Sequence, residues 1–373
     1  MIYFDSAATS FQKPKTVAEA VTRAIRECAS PGRGGYRPAM NAAEELYKCR
    51  ELAGELFSCA ADNVVFTMNA THGLNMAINT LVKPGGNVVI SGFEHNAVWR
   101  PLNKLGARIR IAGRNLFDPE DTLKQFDALV RPGMDAVICT HVSNVFGYIL
   151  PVQEIAELCR RRGVPFVLDA SQSAGVLPVS MEHLNADFIA MPGHKGLYGP
   201  QGTGLLLCGR MPEPLLCGGT GSLSRSSEMP DFLPDRGEAG THNVPGICGL
   251  MEGMRFIDKL GIGRILQHEK ALCRCIAENL KTEKRIRLFW SDSGCQTGVL
   301  SLCFAGRDCE MAAEYLAQHG CAVRGGLHCA PLAHESAGTL ECGTVRLSPS
   351  AFSTPKQADI LSRWLLSCAR GEK

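Results

Sequence analysis

The 373-residue chain contains no run of about 18 consecutive apolar residues, so no membrane-spanning helix is expected. Its charges nearly cancel, at +2, which gives no field suited to gathering nucleic acid or anionic lipid. The opening residues, Met1-Ile2-Tyr3-Phe4-Asp5-Ser6, lack the basic start and apolar core of a secretory signal. A cytoplasmic location is therefore expected. There is no internal repeat and no low-complexity tail. What remains is an ordinary globular composition, 45% hydrophobic and 20% charged, long enough for a sizeable core and two domains.

Cysteine is plentiful, with 17 residues, but the number is odd and the residues are scattered. Most sit in apolar runs, as Cys139 does in Val137-Ile138-Cys139 and Cys208 in Leu205-Leu206-Leu207-Cys208. They read as small buried hydrophobes in a reducing compartment, not as a disulfide framework. Cys273 and Cys275 lie in a helical pattern at the wrong spacing for a zinc CxxC, so no metal site is expected.

Short apolar runs alternate with segments of helical period. Strands are expected at 64–67, 87–90, 135–140, 164–169, 187–190 and 204–208. Helices are expected from about 71 and over 152–162. This alternation predicts an α/β domain with a mostly parallel sheet, whose ligand sits at the carboxyl ends of the strands. Residues 212–234 read as loop, followed by helices at about 244–260 and 263–282. Strands at 298–304, 321–324 and 344–347 and helices at 309–319 and 355–368 make a smaller α+β domain. The expected division is 14–258 for the large domain, with 1–13 and 259–373 forming the small one.

The chemistry centres on Met191-Pro192-Gly193-His194-Lys195. A lysine between a buried strand and a glycine-rich loop is poorly placed for solubility and well placed to lose its proton. Such an amine can form a Schiff base with an aldehyde cofactor. Asp169 closes another apolar run and can hold a pyridine nitrogen protonated, which together suggests pyridoxal 5'-phosphate (PLP). Asn69-Ala70-Thr71-His72-Gly73 joins a strand to a helix and offers amides to a phosphate, although an ordinary helix cap looks the same. Gln172 is placed to reach a ring oxygen, and His95 to stack on a ring and move protons. The run Gly199-Pro200-Gln201-Gly202-Thr203-Gly204 precedes a strand, where a dinucleotide fingerprint needs a helix, and is discounted.

Nine segments, in order along residues 3 to 348, carry a family resemblance: Tyr3 to Thr9, Asn69 to Gly73, Glu94 to Asn96, His141 to Gly147, Asp169 to Gln172, Gly193 to Lys195, Glu238 to Thr241, Arg324 to Ala330 and Val345 to Ser348. Together they resemble the class V aminotransferases, PLP enzymes of fold type I, and more closely the cysteine desulfurase and selenocysteine lyase branch. The resemblance implies Lys195 as the Schiff-base lysine and Asp169 as partner of the pyridine nitrogen. It implies Gln172 at the ring oxygen and His95 on the ring, with a catalytic part. Ala70, Thr71, His72, Ser171 and His194 would cradle the phosphate, joined by Thr241 from a second subunit of a homodimer. Asn144, Arg346, Arg324 and Ala8 would bind the amino-acid substrate, Arg346 taking its carboxylate.

Cys329 lies among Arg324-Gly325-Gly326 and His328, a loop context in which nearby Arg and His would favour thiolate. By the resemblance it is the nucleophile that takes sulfur from L-cysteine as a persulfide, releasing L-alanine and handing sulfur to an acceptor protein. Leu327 stands where closer relatives often carry another histidine, and Thr71-His72 departs from the commoner pairs. His334, Glu335 and Cys342 have no assignment. Selenocysteine lysis shares every residue named. A transaminase, epimerase or β-lyase would leave Cys329 incidental, and a non-catalytic sulfur or metal relay would leave Lys195 and Asp169 as core residues.

Overall fold

The computed structural model describes residues 1–32 and 34–372. Thirteen strands appear in chain order among them. They are β1 (Ile2–Tyr3), β2 (Val64–Thr67), β3 (Asn87–Ser91), β4 (Arg108–Ala112), β5 (Ala136–Thr140), β6 (Phe166–Asp169), β7 (Phe188–Pro192) and β8 (Gly204–Cys208), then β9 (Ile286–Phe289), β10 (Leu300–Phe304), β11 (Cys321–Ala322), β12 (Arg324–Gly326) and β13 (Thr344–Leu347).

Seven strands form one sheet in the order β2-β8-β7-β6-β5-β3-β4. All neighbours pair parallel except β8, which runs antiparallel to β2 and β7. The mostly parallel α/β architecture is the expected one. Alternate residues enter two cores on opposite faces. Phe66, Val89, Val137, Leu168 and Ile189 go to one, and Val65, Ile90, Ile138, Val167 and Ala190 to the other. Burial on both faces is why these strands read as unbroken apolar runs. Cys139 and Cys208 are packed in these cores as small apolar side chains. The outer strand β4 exposes Arg108 and Arg110, charges that suit an edge.

The smaller sheet is antiparallel, in the order β12-β13-β10-β9. Its core joins Leu300, Leu302, Val345 and Leu347 to Leu272 and Ile276 of helix Ile262–Leu280 and to Leu361 and Leu365 of helix Pro355–Arg370. Phe4 enters that core too, because β1 pairs parallel with β11 and Asp5 bridges Ser348.

Several elements depart from the sequence expectation. The run 321–324 divides, Cys321 and Ala322 pairing with β1 while Arg324 opens β12 against β13. The strand expected from 298 starts at Leu300. Gly298 backs onto helix Ile262–Leu280 so closely that an added Cβ would lie 2.4 Å from Glu269 Cβ. Helices Lys15–Glu27, Arg37–Phe57, Asn96–Lys104, Pro119–Leu129 and Pro331–Ala337, with strands β4 and β9, were not foreseen.

Candidate active site

The carboxyl ends of β3, β5, β6 and β7 open into a cleft of about 290 Å³, with Arg324, His328, Cys329 and Arg346 of the small sheet region on its other side. Lys195 follows β7 in a turn that only glycine permits at position 193, where a Cβ would meet Thr203 Oγ1 at 2.2 Å. Burial, the largest influence, lowers the lysine to about 8. Arg346 and Arg324 push the same way, and Asp169 opposes them. Asp169 ends β6, fully buried, and its Oδ1 accepts from Ser171 N at 2.9 Å. Among the described residues no donor reaches its Oδ2.

His95 caps helix Asn96–Lys104. Its Nδ1 accepts from Ala97 N at 3.0 Å, so Nε2 carries the proton. Burial, reinforced by Lys195, holds this imidazole neutral with a pKa of about 4. Helix Ala70–Leu81 starts at the same cleft. Asn69 Oδ1 accepts from His72 N at 2.9 Å, which leaves the Ala70 and Thr71 amides without a protein acceptor among the described residues. Ser171 and His194 line the same region. His194 Nδ1 lies 3.1 Å from Thr9 Oγ1, and burial holds that ring neutral too, at about 4. Ala8 and Gln172 also line the cleft, and Gln172 Nε2 donates to Ala7 O at 2.9 Å.

Of the residues expected at this chain's own cofactor site, His72 lies elsewhere. The His72 ring accepts from Met68 N at 3.3 Å and lines a neighbouring recess together with Thr241, outside the cleft of this chain. The loop carrying Thr241 is anchored by Glu238, which is buried against Arg50 at 2.7 and 2.5 Å and against His242 at 2.5 Å.

On the far wall, Arg346 is 2% exposed. Its Nη1 donates to Asn144 O at 2.9 Å and its Nη2 to Asp5 Oδ1 at 2.7 Å, while Nε has no acceptor. Asn144 Nδ2 donates to His328 O at 2.8 Å. Cys329 is exposed in a loop tied to the start of helix Asn96–Lys104 by Asn96 N donating to Cys329 O at 2.8 Å. His328 and Cys329 are both left-handed, at φ 50° and 56°, a costly conformation for two side-chain-bearing residues in succession. His328 Nε2 donates to Thr344 O at 3.1 Å, and burial holds the ring near 2. His328 is therefore an uncharged anchor of the loop, which corrects the expectation that it supplies positive charge to Cys329.

Two residues were given no part from sequence. Asp5 contacts both arginines of the cleft, a pairing across 341 positions that no local pattern announces. Glu94 lies fully buried beneath the cleft. Its Oε1 accepts from Ser91 Oγ at 2.5 Å and Thr140 N at 2.7 Å, and burial raises its carboxyl to about 8.

The sequence profile described as aminotransferase class-V matches residues 2–361. The chain belongs to this family. Among its relatives, the probable cysteine desulfurase of Methanothermobacter thermautotrophicus is 31% identical over 98% of this chain and 94% of its own length. The cysteine desulfurase of Shigella sonnei is 32% identical, over 88% of this chain and 84% of its own. The apo structure of cysteine desulfurase from Thermococcus onnurineus NA1 superposes with a TM-score of 0.90 at 30% identity, covering 99% of this chain and 95% of that one. This class-V chain thus shares its whole architecture, both larger sheets included, with a solved desulfurase.

Proposed function

We propose that this chain is a PLP-dependent cysteine desulfurase that converts L-cysteine to L-alanine and carries the sulfur as a Cys329 persulfide. The observation that carries the reading is the exposed Cys329 thiol, held in a left-handed turn at the mouth of a cleft that also contains Lys195, Asp169 and His95.

The residues fit the cofactor. A phosphate suits the unpartnered Ala70 and Thr71 amides at a helix start, beside Ser171 and His194. Asp169, with Oδ2 lacking a protein donor, suits a protonated pyridine nitrogen, and the flat neutral His95 suits the ring face. Gln172 keeps one amide hydrogen for a ring oxygen. Bound there, PLP supplies an electron sink conjugated to the substrate α-carbon.

The chain's own residues do the rest. Arg346, with Asn144 and Arg324, orients the substrate carboxylate. Lys195 Nζ, near 8, exchanges a proton with the α-carbon at neutral to mildly alkaline pH. Cys329 Sγ attacks the substrate sulfur. The Cβ–S bond breaks as the S–S bond forms, the electron pair stays with carbon, and a proton completes alanine. Each turnover consumes one L-cysteine and one thiol and yields one alanine and one persulfide. A thiol or an acceptor protein then removes the outer sulfur.

A homodimer completes the reading. Met68 and Leu216, exposed large apolar side chains, line the recess beside Thr241, and exposed Tyr47 lines the next one. Covering these residues with a second copy would carry Thr241 toward the partner's phosphate site.

Alanine and sulfide are to be measured with L-cysteine, PLP and a thiol reductant. The wild type is expected to form both in equal amounts. Cys329→Ala is expected to lose more than 99% of turnover while keeping the absorbance of bound PLP. Full turnover by Cys329→Ala would overturn the persulfide role.

A further inference from the structure

Two thiols of the small sheet region meet at one carbonyl. Cys303 Sγ and Cys342 Sγ each donate to Gly343 O at 3.4 Å, and the two side chains are within hydrogen-bonding reach of each other. Cys303 lies in β10, opposite Arg287 of β9, half-buried against the core that holds Phe289 and Ala333. Cys342 is exposed and stands just before β13. The carbonyl they share is held firmly. Gly343 is left-handed at φ 61°, its N–H donates to Thr339 O at 2.8 Å, and a Cβ there would meet Cys309 Sγ at 2.8 Å and Gly326 O at 3.0 Å. Neither Cys303 nor Cys342 lines the cleft. Among the described residues no group of three or more side chains is arranged to hold a metal ion, so the pair offers two nucleophiles without further ligands. Covalent sulfur chemistry suits such a pair better than metal binding.

We propose that Cys303 and Cys342 form a dithiol site for low-molecular-weight disulfides, in which Cys342 attacks and Cys303 resolves. The exposed Cys342 thiolate attacks one sulfur of the small disulfide. That S–S bond breaks, a mixed disulfide forms on Cys342, and the first small thiolate leaves with the bonding pair. Cys303 then attacks Cys342 Sγ, and the second small thiolate leaves. The two cysteines give up two protons and two electrons. One small disulfide is thereby reduced to two thiols, and one Cys303–Cys342 disulfide is made. The order of events follows from exposure, because a reagent in solution reaches Cys342 first. Burial, the largest influence, and the neighbouring Cys342 thiol push the Cys303 thiol up, and Arg287 opposes them. Cys303 therefore suits the second step, where nearness to the mixed disulfide supplies the rate. The new bond ties β10 to the entry of β13, the strand that carries Arg346.

The test incubates the PLP-loaded protein with glutathione disulfide, alkylates the remaining thiols and maps tryptic peptides by mass spectrometry. Cys303 falls in peptide 288–307 with Cys295, and Cys342 in peptide 325–346 with Cys329, so fragment ions place the link. The wild type is expected to yield the Cys303–Cys342 disulfide. In Cys303→Ser the exchange should stop halfway, and the glutathione adduct on Cys342 should accumulate on the order of tenfold above the wild type. In Cys342→Ser neither a link nor an adduct is expected on Cys303. Cys342 is exposed, so this second variant reads the site even if Cys303→Ser does not fold. Three results would each overturn the inference. One is a wild type whose Cys342 stays unmodified, another a wild type that keeps as much Cys342 adduct as Cys303→Ser. The third is a link from Cys342 to Cys309 or Cys329 in place of Cys303. No arm needs turnover, so the dithiol site stands or falls separately from the desulfurase proposal.

Discussion

Lys195 meets two influences against its charge, burial and the neighbouring guanidinium groups, and two in favour, Asp169 and Asp5. Burial prevails and lowers the amine from 10.5 to about 8. Only the neutral amine is nucleophilic, and its fraction grows as pH rises through the pKa. Trapping of Lys195 in PLP-free protein by a small aldehyde and borohydride, read by peptide mass spectrometry, is therefore expected to rise about tenfold per unit below pH 8. It should level off above that. A rise that continues to pH 10 would mark a solvated, ordinary lysine. Lys195 and Asp169 were legible in the sequence because each stands at or just beyond the end of an apolar strand, where a parallel sheet presents its ligands. Asp5 and Glu94 were not. Both lie inside recognised segments, but their parts depend on Arg346, 341 residues away from Asp5, and on Thr140, 46 residues away from Glu94.

Helix Ala70–Leu81 brings its unpaired amides to the cleft because Asn69 ends it on that side, its Oδ1 accepting from His72 N. Asn69→Ala removes that acceptor and loosens the first turn. A stability loss of about 1 kcal/mol is expected from urea unfolding of the PLP-free protein. PLP affinity should fall about fivefold in a fluorescence titration. Unchanged affinity would mean that the phosphate does not use this helix start. The helix was expected from sequence, to within one residue of its start. The Cys329 loop was legible only as a loop. Gly325 and Gly326 announce a turn, but nothing local shows that His328 and Cys329 take left-handed backbone themselves. That conformation follows from two anchors made at a distance, His328 Nε2 to Thr344 O and Asn96 N to Cys329 O.

The whole molecule is tied together by contacts between remote segments. Glu238 holds Arg50, 188 residues earlier, and also accepts from Phe66 N at 2.5 Å, fixing the loop of Thr241 to the edge of the large sheet. Removing its carboxylate leaves a buried guanidinium unpaired. Glu238→Ala is expected to cost about 3–5 kcal/mol in denaturant unfolding. Thr241 should then lose its fixed position, and sedimentation should show the proposed dimer weakened. A loss below 1 kcal/mol would mean that water reaches Arg50 readily. The sequence by itself determined the alternating strands and helices, the mostly parallel sheet and the lysine and aspartate at its carboxyl edge. Those features are set by local periodicity and by burial on both faces. Only the tertiary structure decided that Asp5 bridges two arginines, that His328 is a neutral anchor, and that His72 faces a recess away from its own chain's cleft. Each depends on groups far apart in the chain meeting in a space from which water is excluded. There the pairing of charges and hydrogen bonds, not local propensity, fixes the outcome.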